Sequence, residues 1–314
     1  HWDLANSEAI ASYLQSHPMD KPFFLSFGMF STHREYPDPT ADILNSQVEI
    51  PAWLEQSDEI RRDFAGHLTS LTYYDRCFEN VINALKNSGF YDNTLIVVTS
   101  DHGIAFPFAK CTLKDVGTKV IFMIKHPNQM SGRRYKHLVS HVDFVPTLLS
   151  MLNIESPDGI SGLDLSDSIL NTDVPVREYV FSEVNFHTSY EPIRAVRSNR
   201  YKYIKYFDDS YQNVNVSNID NSLTKTYYLN QGLANMKKEM TQLYDLKEDP
   251  YEMTNLIDDP SYREVAEEMH MQLLQWMRDT DDYLLNGLID FHSNWKVNKP
   301  SAMDPKSKDP NDFI

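Results

Sequence analysis

The chain has 314 residues, with 29 Lys and Arg against 45 Asp and Glu and a formal net charge of −16. That balance excludes a nucleic-acid partner, which wants a basic face, and an anionic substrate would have to be met by positive charge gathered locally. Hydrophobic residues make up 41% and no apolar run approaches the ~20 residues that cross a bilayer, so a sizeable core is expected and a membrane partner is not.

The length suits one large α/β domain with a smaller companion. Cys77 and Cys111 are too few for a disulfide framework and lack metal-site spacing. The opening His1-Trp2-Asp3-Leu4 has neither an initiator Met nor the charged-then-apolar pattern of a signal peptide, so the expectation is a processed or truncated piece.

In chain order, Phe23 to Phe27, bounded by Pro22 and Gly28, reads as a buried strand. A loop follows with Ser31-Thr32-His33-Arg34, Pro37 and Pro39. From about Ile60 to Leu85, Phe64, Leu68, Leu71, Phe78, Val81 and Ile82 recur at mostly three- and four-residue steps, the period of an amphipathic helix, which Asn87-Ser88-Gly89 closes.

Thr94 to Thr99 is the next strand, and it stops abruptly at Ser100-Asp101-His102-Gly103, with Lys110 beyond. Open α/β sheets place chemistry at the C-terminal ends of strands, so Asp101 and His102 are candidate metal ligands. After a loop, Val120 to Ile124 is another strand, and the order of these segments predicts a mostly parallel sheet flanked by helices. Phe144 to Leu152 reads as a helix with Pro146 in its first turn, and Asp143 as a residue that orders the preceding loop or caps that helix.

From about Val174 short strands rich in Tyr, Val and Arg take over: Glu178 to Phe181, Ile193 to Arg197 and Tyr201 to Tyr206, the last two joined as a hairpin through Ser198-Asn199-Arg200. The spacing of Arg194 and Arg197 puts them on opposite faces, so at most one meets a substrate. Asp259-Pro260 opens a last helix through Val265, Met269, Leu273 and Trp276, and the tail after Asn294 is expected to be an extended wrap or disordered. The expected division is 1–173, an α/β part, and 174–314, a smaller antiparallel α+β subdomain with a long helix and tail.

Four blocks resemble, in order, the C-terminal half of the sulfatase family within the alkaline-phosphatase-like superfamily. They are Lys21-Pro22-Phe23-Phe24-Leu25 leading to His33; Asn93 to Gly103 with Lys110; His141 to Leu149; and Gln242 to Pro250 continuing to Glu252-Met253-Thr254-Asn255-Leu256. The likeness is nearest to the sulfamidases, or heparan N-sulfatases, through Gly103-Ile104-Ala105-Phe106-Pro107-Phe108-Ala109-Lys110 and the ending Leu274-Gln275-Trp276 followed by Asp281-Asp282.

The resemblance implies an incomplete alkaline-phosphatase-like fold, with residues 1–173 as the later part of a catalytic domain. It implies a hydrolase of sulfuric esters or sulfamates acting on a sulfated glycan, N-sulfoglucosamine or another heparan-type sugar. In that family a formylglycine, made from a Cys or Ser in a Cys/Ser-x-Pro/Ala-x-Arg signature, attacks sulfur beside a metal held partly by an Asp-Asp pair. Neither Cys77 nor Cys111 sits in that signature, so the nucleophile and further ligands are expected on an N-terminal segment of the same protein outside this chain.

By the same likeness His33 contacts the sulfate and protonates the departing atom, and Lys110 neutralises sulfate oxygens where the sulfamidases carry Arg. Asp101 and His102 bind the metal, His102 also lying against the sulfate, and Glu183, His187 and Arg194 bind the sugar. The family implies Ca²⁺, whereas the imidazole of His102 keeps Zn²⁺ or Mn²⁺ open; two side chains cannot by themselves supply the roughly six to eight oxygens Ca²⁺ takes. Export to a periplasm, the cell exterior or a lysosome is implied. The alternatives are a metal-dependent phosphatase or phosphodiesterase of the same superfamily, and a noncatalytic binding domain.

Overall fold

The computed structural model describes residues 2–16, 21–129, 132–291 and 294–314. Helix α1 (Trp2–Ser16), which the sequence pattern did not announce, lies along the long helix α3 (Asp58–Asn87), with the short α2 (Ala41–Asn45) between them in the chain. Leu14 packs with Ala84 and Leu85, and Asn80 donates to Ser7 Oγ at 2.9 Å. The start of α3 is fixed by Ser57, whose side chain accepts from the Ile60 N–H, with Asp58 and Glu59 in the first turn, where the helix dipole favours negative charge.

Strand β1 (Ile96–Thr99) leads through a loop containing α4 (Asp115–Thr118) to β2 (Phe122–Lys125). The two pair antiparallel, Ile96 opposite Lys125 and Thr99 opposite Phe122, which corrects the mostly parallel order expected here. A parallel return needs a crossover packed on the sheet face; the connection holds only a four-residue helix and comes back along the neighbouring edge. The expected strand at Phe23 to Phe27 is likewise extended but unpaired: Phe23 packs edge-on against Phe90 at 5.5 Å, Phe24 is 89% exposed, and among the described residues no strand lies beside it.

Helix α5 (Phe144–Met151) follows a capping turn in which Asp143, almost fully buried, accepts from the N–H groups of Ser140 and Leu163 and from Arg177. An antiparallel sheet then forms in chain order from β3 (Val180–Phe186), β4 (Tyr190–Arg197), β5 (Tyr201–Tyr206) and β6 (Thr241–Asp245). The molecule is thus α/β, and its larger sheet is antiparallel.

This sheet is covered on both faces, which is why β4 is buried almost throughout. Val196, Tyr203 and Leu243 face Met269, Leu273 and Met277 of α7 (Arg263–Asp279), while Ile193, Ala195, Ile204 and Tyr244 face Leu113 in the loop before α4. Between β5 and β6 the chain leaves the sheet and packs α6 (Leu223–Asn230) against α3, putting Val216, Tyr228 and Leu233 in one core with Ile60, Trp53 and Phe106. The tail is an extended wrap: Val297 and Ala302 are buried, and the Asn298 N–H donates to the Thr188 carbonyl at 2.9 Å.

One buried cation ties these layers together. Arg34 donates from Nη1 and Nη2 to the two oxygens of Asp63 on α3, at 2.7 and 2.8 Å, and from Nε to the Ala105 carbonyl at 2.6 Å. Its guanidinium lies 4.2 Å from the Tyr36 ring centroid and 4.5 Å from that of Phe106. Asp63 Oδ2 also accepts from Thr224 Oγ1 of α6 at 2.6 Å. Removing the cation leaves a buried carboxylate without its counter-charge, so Arg34→Met is expected to cost about 3–5 kcal/mol in urea unfolding. Arg34→Lys should lose a smaller part, since it keeps the charge without the fork; equal stability of Arg34→Met and the parent chain would contradict this.

His67 lies beside this clamp, ringed by Tyr36, Phe64 and Phe106, and its Nδ1 has no hydrogen-bond partner among the described residues. Burial, and then the Arg34 charge, hold its pKa down to about 4 from an ordinary 6.5. The unfolded chain therefore takes up this proton as pH falls below 6.5 while the folded chain stays neutral to about 4, so stability declines through that window. From pH 7 to 5 this group should remove about 2 kcal/mol. His67→Phe should show a correspondingly smaller drop between the two pH values; identical drops would refute the assignment.

Candidate functional site

The end of β1 is shaped by two glycines. A Cβ on Gly103 would stand 2.2 Å from the Val116 carbonyl oxygen and one on Gly117 2.2 Å from that of Ala109, distances that only glycine permits. Gly103 N–H donates to the Gly117 carbonyl at 2.9 Å, and the 103–117 loop closes on itself. That closure carries Lys110 back beside the strand end and presses Phe106 and Ala109 into the core.

Asp101 is largely exposed; its Oδ1 accepts from the His102 N–H at 2.9 Å, and its Oδ2 is 3.8 Å from His102 Nε2. His102 Nδ1 is 2.7 Å from the Gly103 carbonyl oxygen, which makes Nδ1 the donor and leaves Nε2 of a neutral ring with its lone pair outward beside Asp101. A carbonyl holding one ring nitrogen while the other faces out is the orientation of metal-binding histidines. Among the described residues, however, no group of three or more His, Cys, Asp or Glu side chains is placed to hold a metal. Asp101 and His102 therefore fit one side of a cation site and do not form a closed one.

Lys110 donates from Nζ to Asp220 at 3.0 Å, both side chains mostly buried. Burial raises the Asp220 pKa, but the hydrogen bond and charge of Lys110 outweigh it and hold the carboxyl below its usual range. His187 sits just after β3, and partial burial, then the Lys110 charge, push its pKa down; Asp220 opposes this, while His102 and His33 add to it. His102, Lys110 and His187 thus lie along one cleft, with Asp220 bound to Lys110.

His33 is exposed, its Nδ1 against the Arg34 carbonyl and its ring 4.9 Å from Phe30. Its loop is held by Arg34 on one side and on the other by the fully buried Asp3, which accepts from the N–H groups of Phe30 at 2.9 Å and Ser31 at 2.8 Å.

A cleft of about 1310 Å³ opens beside the strand end, with Asp101, His102, Lys110, Glu183 and His187 in its wall. Among the described residues its lining carries eight lysines and arginines against three carboxylates, in a chain of net charge −16. Glu183 is half-exposed in that wall and 3.4 Å from Arg194.

The two arginines of β4 do face opposite ways. Arg197 lines the cleft, bound to Asp115 at 3.1 Å with Lys202 also on Asp115 at 2.8 Å. Arg194 is 1% exposed, its fork taken by Asp282 at 2.5 and 3.1 Å, with the Val184 and Ile193 carbonyls accepting from Nη1. This corrects its expected role as a sugar contact: every direction of its fork is already used in holding the chain after α7 to the sheet. Sequence reasoning missed Asp220, which carries no local signal, and passed over Arg34, which stood beside His33 in the loop.

Two family models match the chain. One, Sulfatase, covers residues 1–154, and the other, N-sulphoglucosamine sulphohydrolase, C-terminal, covers 101–242. An ulvan-active sulfatase of Formosa agariphila is 27% identical over 299 residues, 91% of this chain and 58% of that protein. Human N-sulphoglucosamine sulphohydrolase is 24% identical over 87% of this chain and 64% of its own length. A Bacteroides thetaiotaomicron protein, solved in work on the metabolism of multiple glycosaminoglycans, superposes with a TM-score of 0.68 at 21% identity, covering 92% of this chain and 62% of that one. The chain spans about half to three fifths of the first curated relatives, 58%, 46% and 51% of their lengths.

The Lys110–Asp220 pair makes a direct prediction. Asp220→Asn removes the counter-charge and should tighten binding of inorganic sulfate several-fold at low salt, whereas Lys110→Ala should weaken it. Calorimetric titration checks both, and equal affinities in the two variants would contradict the placement of Lys110 at an anion site.

Proposed function

We propose, for a chain that belongs to the sulfatase family, that it forms the substrate-facing part of a hydrolase releasing sulfate from a sulfated glycan, an N-sulfoglucosamine or another heparan-type sugar. The observation that carries this reading is a positively lined cleft in a strongly acidic chain, with His102, Lys110 and His187 in its wall where β1 ends. The names of the relatives, which act on ulvan or on N-sulphoglucosamine, point to the same substrate class. Formylglycine and the remaining metal ligands belong in this reading to sequence outside this chain, as does the export its glycan substrates require.

Within it, Asp101 and His102 Nε2 face the cation, with Ca²⁺ preferred over Zn²⁺ or Mn²⁺; the bound ion and the formylglycine together supply the electrophilic and nucleophilic chemistry at sulfur. Lys110 meets the sulfate oxygens, where its charge acts strongly because its surroundings are largely closed to water. Asp220 holds the ammonium in place and moderates its charge. His33, with Nδ1–H committed to a carbonyl, gives the Nε2 proton of its doubly protonated ring to the departing oxygen or nitrogen and is left neutral. His187, held neutral, and Glu183 offer hydrogen bonds to the sugar's hydroxyl or amino groups.

In the full-length enzyme, His33→Ala and Lys110→Ala should each lower sulfate release from a sulfated monosaccharide by about a hundredfold or more. Both should leave the unfolding midpoint close to that of the parent enzyme. Near-normal turnover in both variants would overturn the assignment, and faster turnover of a phosphate monoester than of the sulfate would favour phosphoryl transfer.

A further inference from the structure

We propose that Phe186 and Trp295 form a stacking subsite for a sugar ring adjoining the sulfated unit; this rests on the sulfated-glycan reading and extends it from an anion site to a carbohydrate-chain site. Phe186 ends β3, stands next to His187, and lines the same cleft as Lys110. Phe186 is 39% exposed and Trp295 43%, with their ring centroids 6.1 Å apart and their planes at 78°.

The rings are held from below. Tyr190, 5% exposed, lies 4.9 Å from Phe186 and 5.3 Å from Phe291, and Phe291 is itself 6.0 Å from Phe186. The Tyr190 hydroxyl is fixed by that of Tyr283 at 3.3 Å and by the Ile289 N–H at 3.4 Å. Elements distant in the chain therefore converge on a cluster that keeps two aromatic residues partly open to solvent, Phe186 in the cleft wall and Trp295 against it.

Leaving large aromatic area in water is unfavourable, so a cluster this well supported fits a ligand that covers it. The rest of the cleft narrows the chemistry. His187 follows Phe186 in the chain, and Glu183 and the positive residues line the same cleft, so the ligand presents an apolar face flanked by hydroxyl and anionic groups. A pyranose ring does this, its C–H face desolvating against an aromatic ring while its substituents reach polar groups. An acyl chain would leave the polar rim unmatched.

The test compares two ligands in Trp295→Leu and Phe186→Leu, which keep apolar bulk but remove the flat rings. Calorimetric affinities are measured for inorganic sulfate and for a sulfated hexosamine-uronate disaccharide, using the full-length protein. Disaccharide binding should weaken about three- to tenfold in each variant, with sulfate binding unchanged. Unchanged disaccharide affinity overturns the subsite, as does an equal loss for both ligands. If the parent protein binds neither ligand, the sulfated-glycan reading fails and this one with it. Should Trp295→Leu fail to fold, Phe186→Leu carries the same comparison.

Discussion

The fork of Arg34 on Asp63 holds together four segments far apart in sequence: the His33 loop, helix α3, the loop after β1, and α6. Each carries or adjoins part of the candidate site. His33 is the neighbour of Arg34, the Ala105 carbonyl begins the turn that ends at Lys110, and Asp220 lies shortly before Thr224. A buried ion pair is a poor source of net stability, because desolvation offsets its attraction, but it is intolerant of error in geometry. Here it acts as a locating pin, and the aromatic faces of Tyr36 and Phe106 on the guanidinium keep water from it.

Charge is used in the same way where the antiparallel sheet meets its neighbours. On one face Arg194 and Asp282 lock the chain after α7 to β4; on the other, Arg197 and Lys202 converge on Asp115, whose pKa burial would raise and the two cations hold down at about 2. The alternation of a β-strand sends Arg194 to the first role and Arg197 to the second. The acidic chain thus commits some of its basic residues to fixing layers and leaves others along the cleft, where they can meet an anion.

Much of this was legible in the sequence wherever the signal was local. Helix α3 declared itself by period, β5 by its tyrosines and turn, and the loop-ordering role of Asp143 by its place before an apolar run. Helix α1 was not legible, since its apolar residues form no clear stripe and its anchor, Asp3, binds backbone groups nearly thirty positions on. Arg194 was misread because what decides its role, Asp282, lies 88 positions away; Asp282 itself had drawn notice only as part of a family likeness. The antiparallel return of β2 depended on the missing crossover helix, a property of a loop and not of either strand. Asp101, His102, His33 and Lys110 could be nominated from motifs, but that Asp101, His102 and Lys110 line one cleft with His187 is a product of the fold.

The central claim is that His33, His102 and His187 face a single anion site held in register by Arg34. Histidine-selective NMR during titration of the full-length protein with a sulfated monosaccharide tests it most directly. The account predicts that the His33, His102 and His187 resonances shift together with one dissociation constant, while His270, packed against Tyr203 on the α7 side, stays still. Independent titration of the three, or a response of His270 alone, would contradict it.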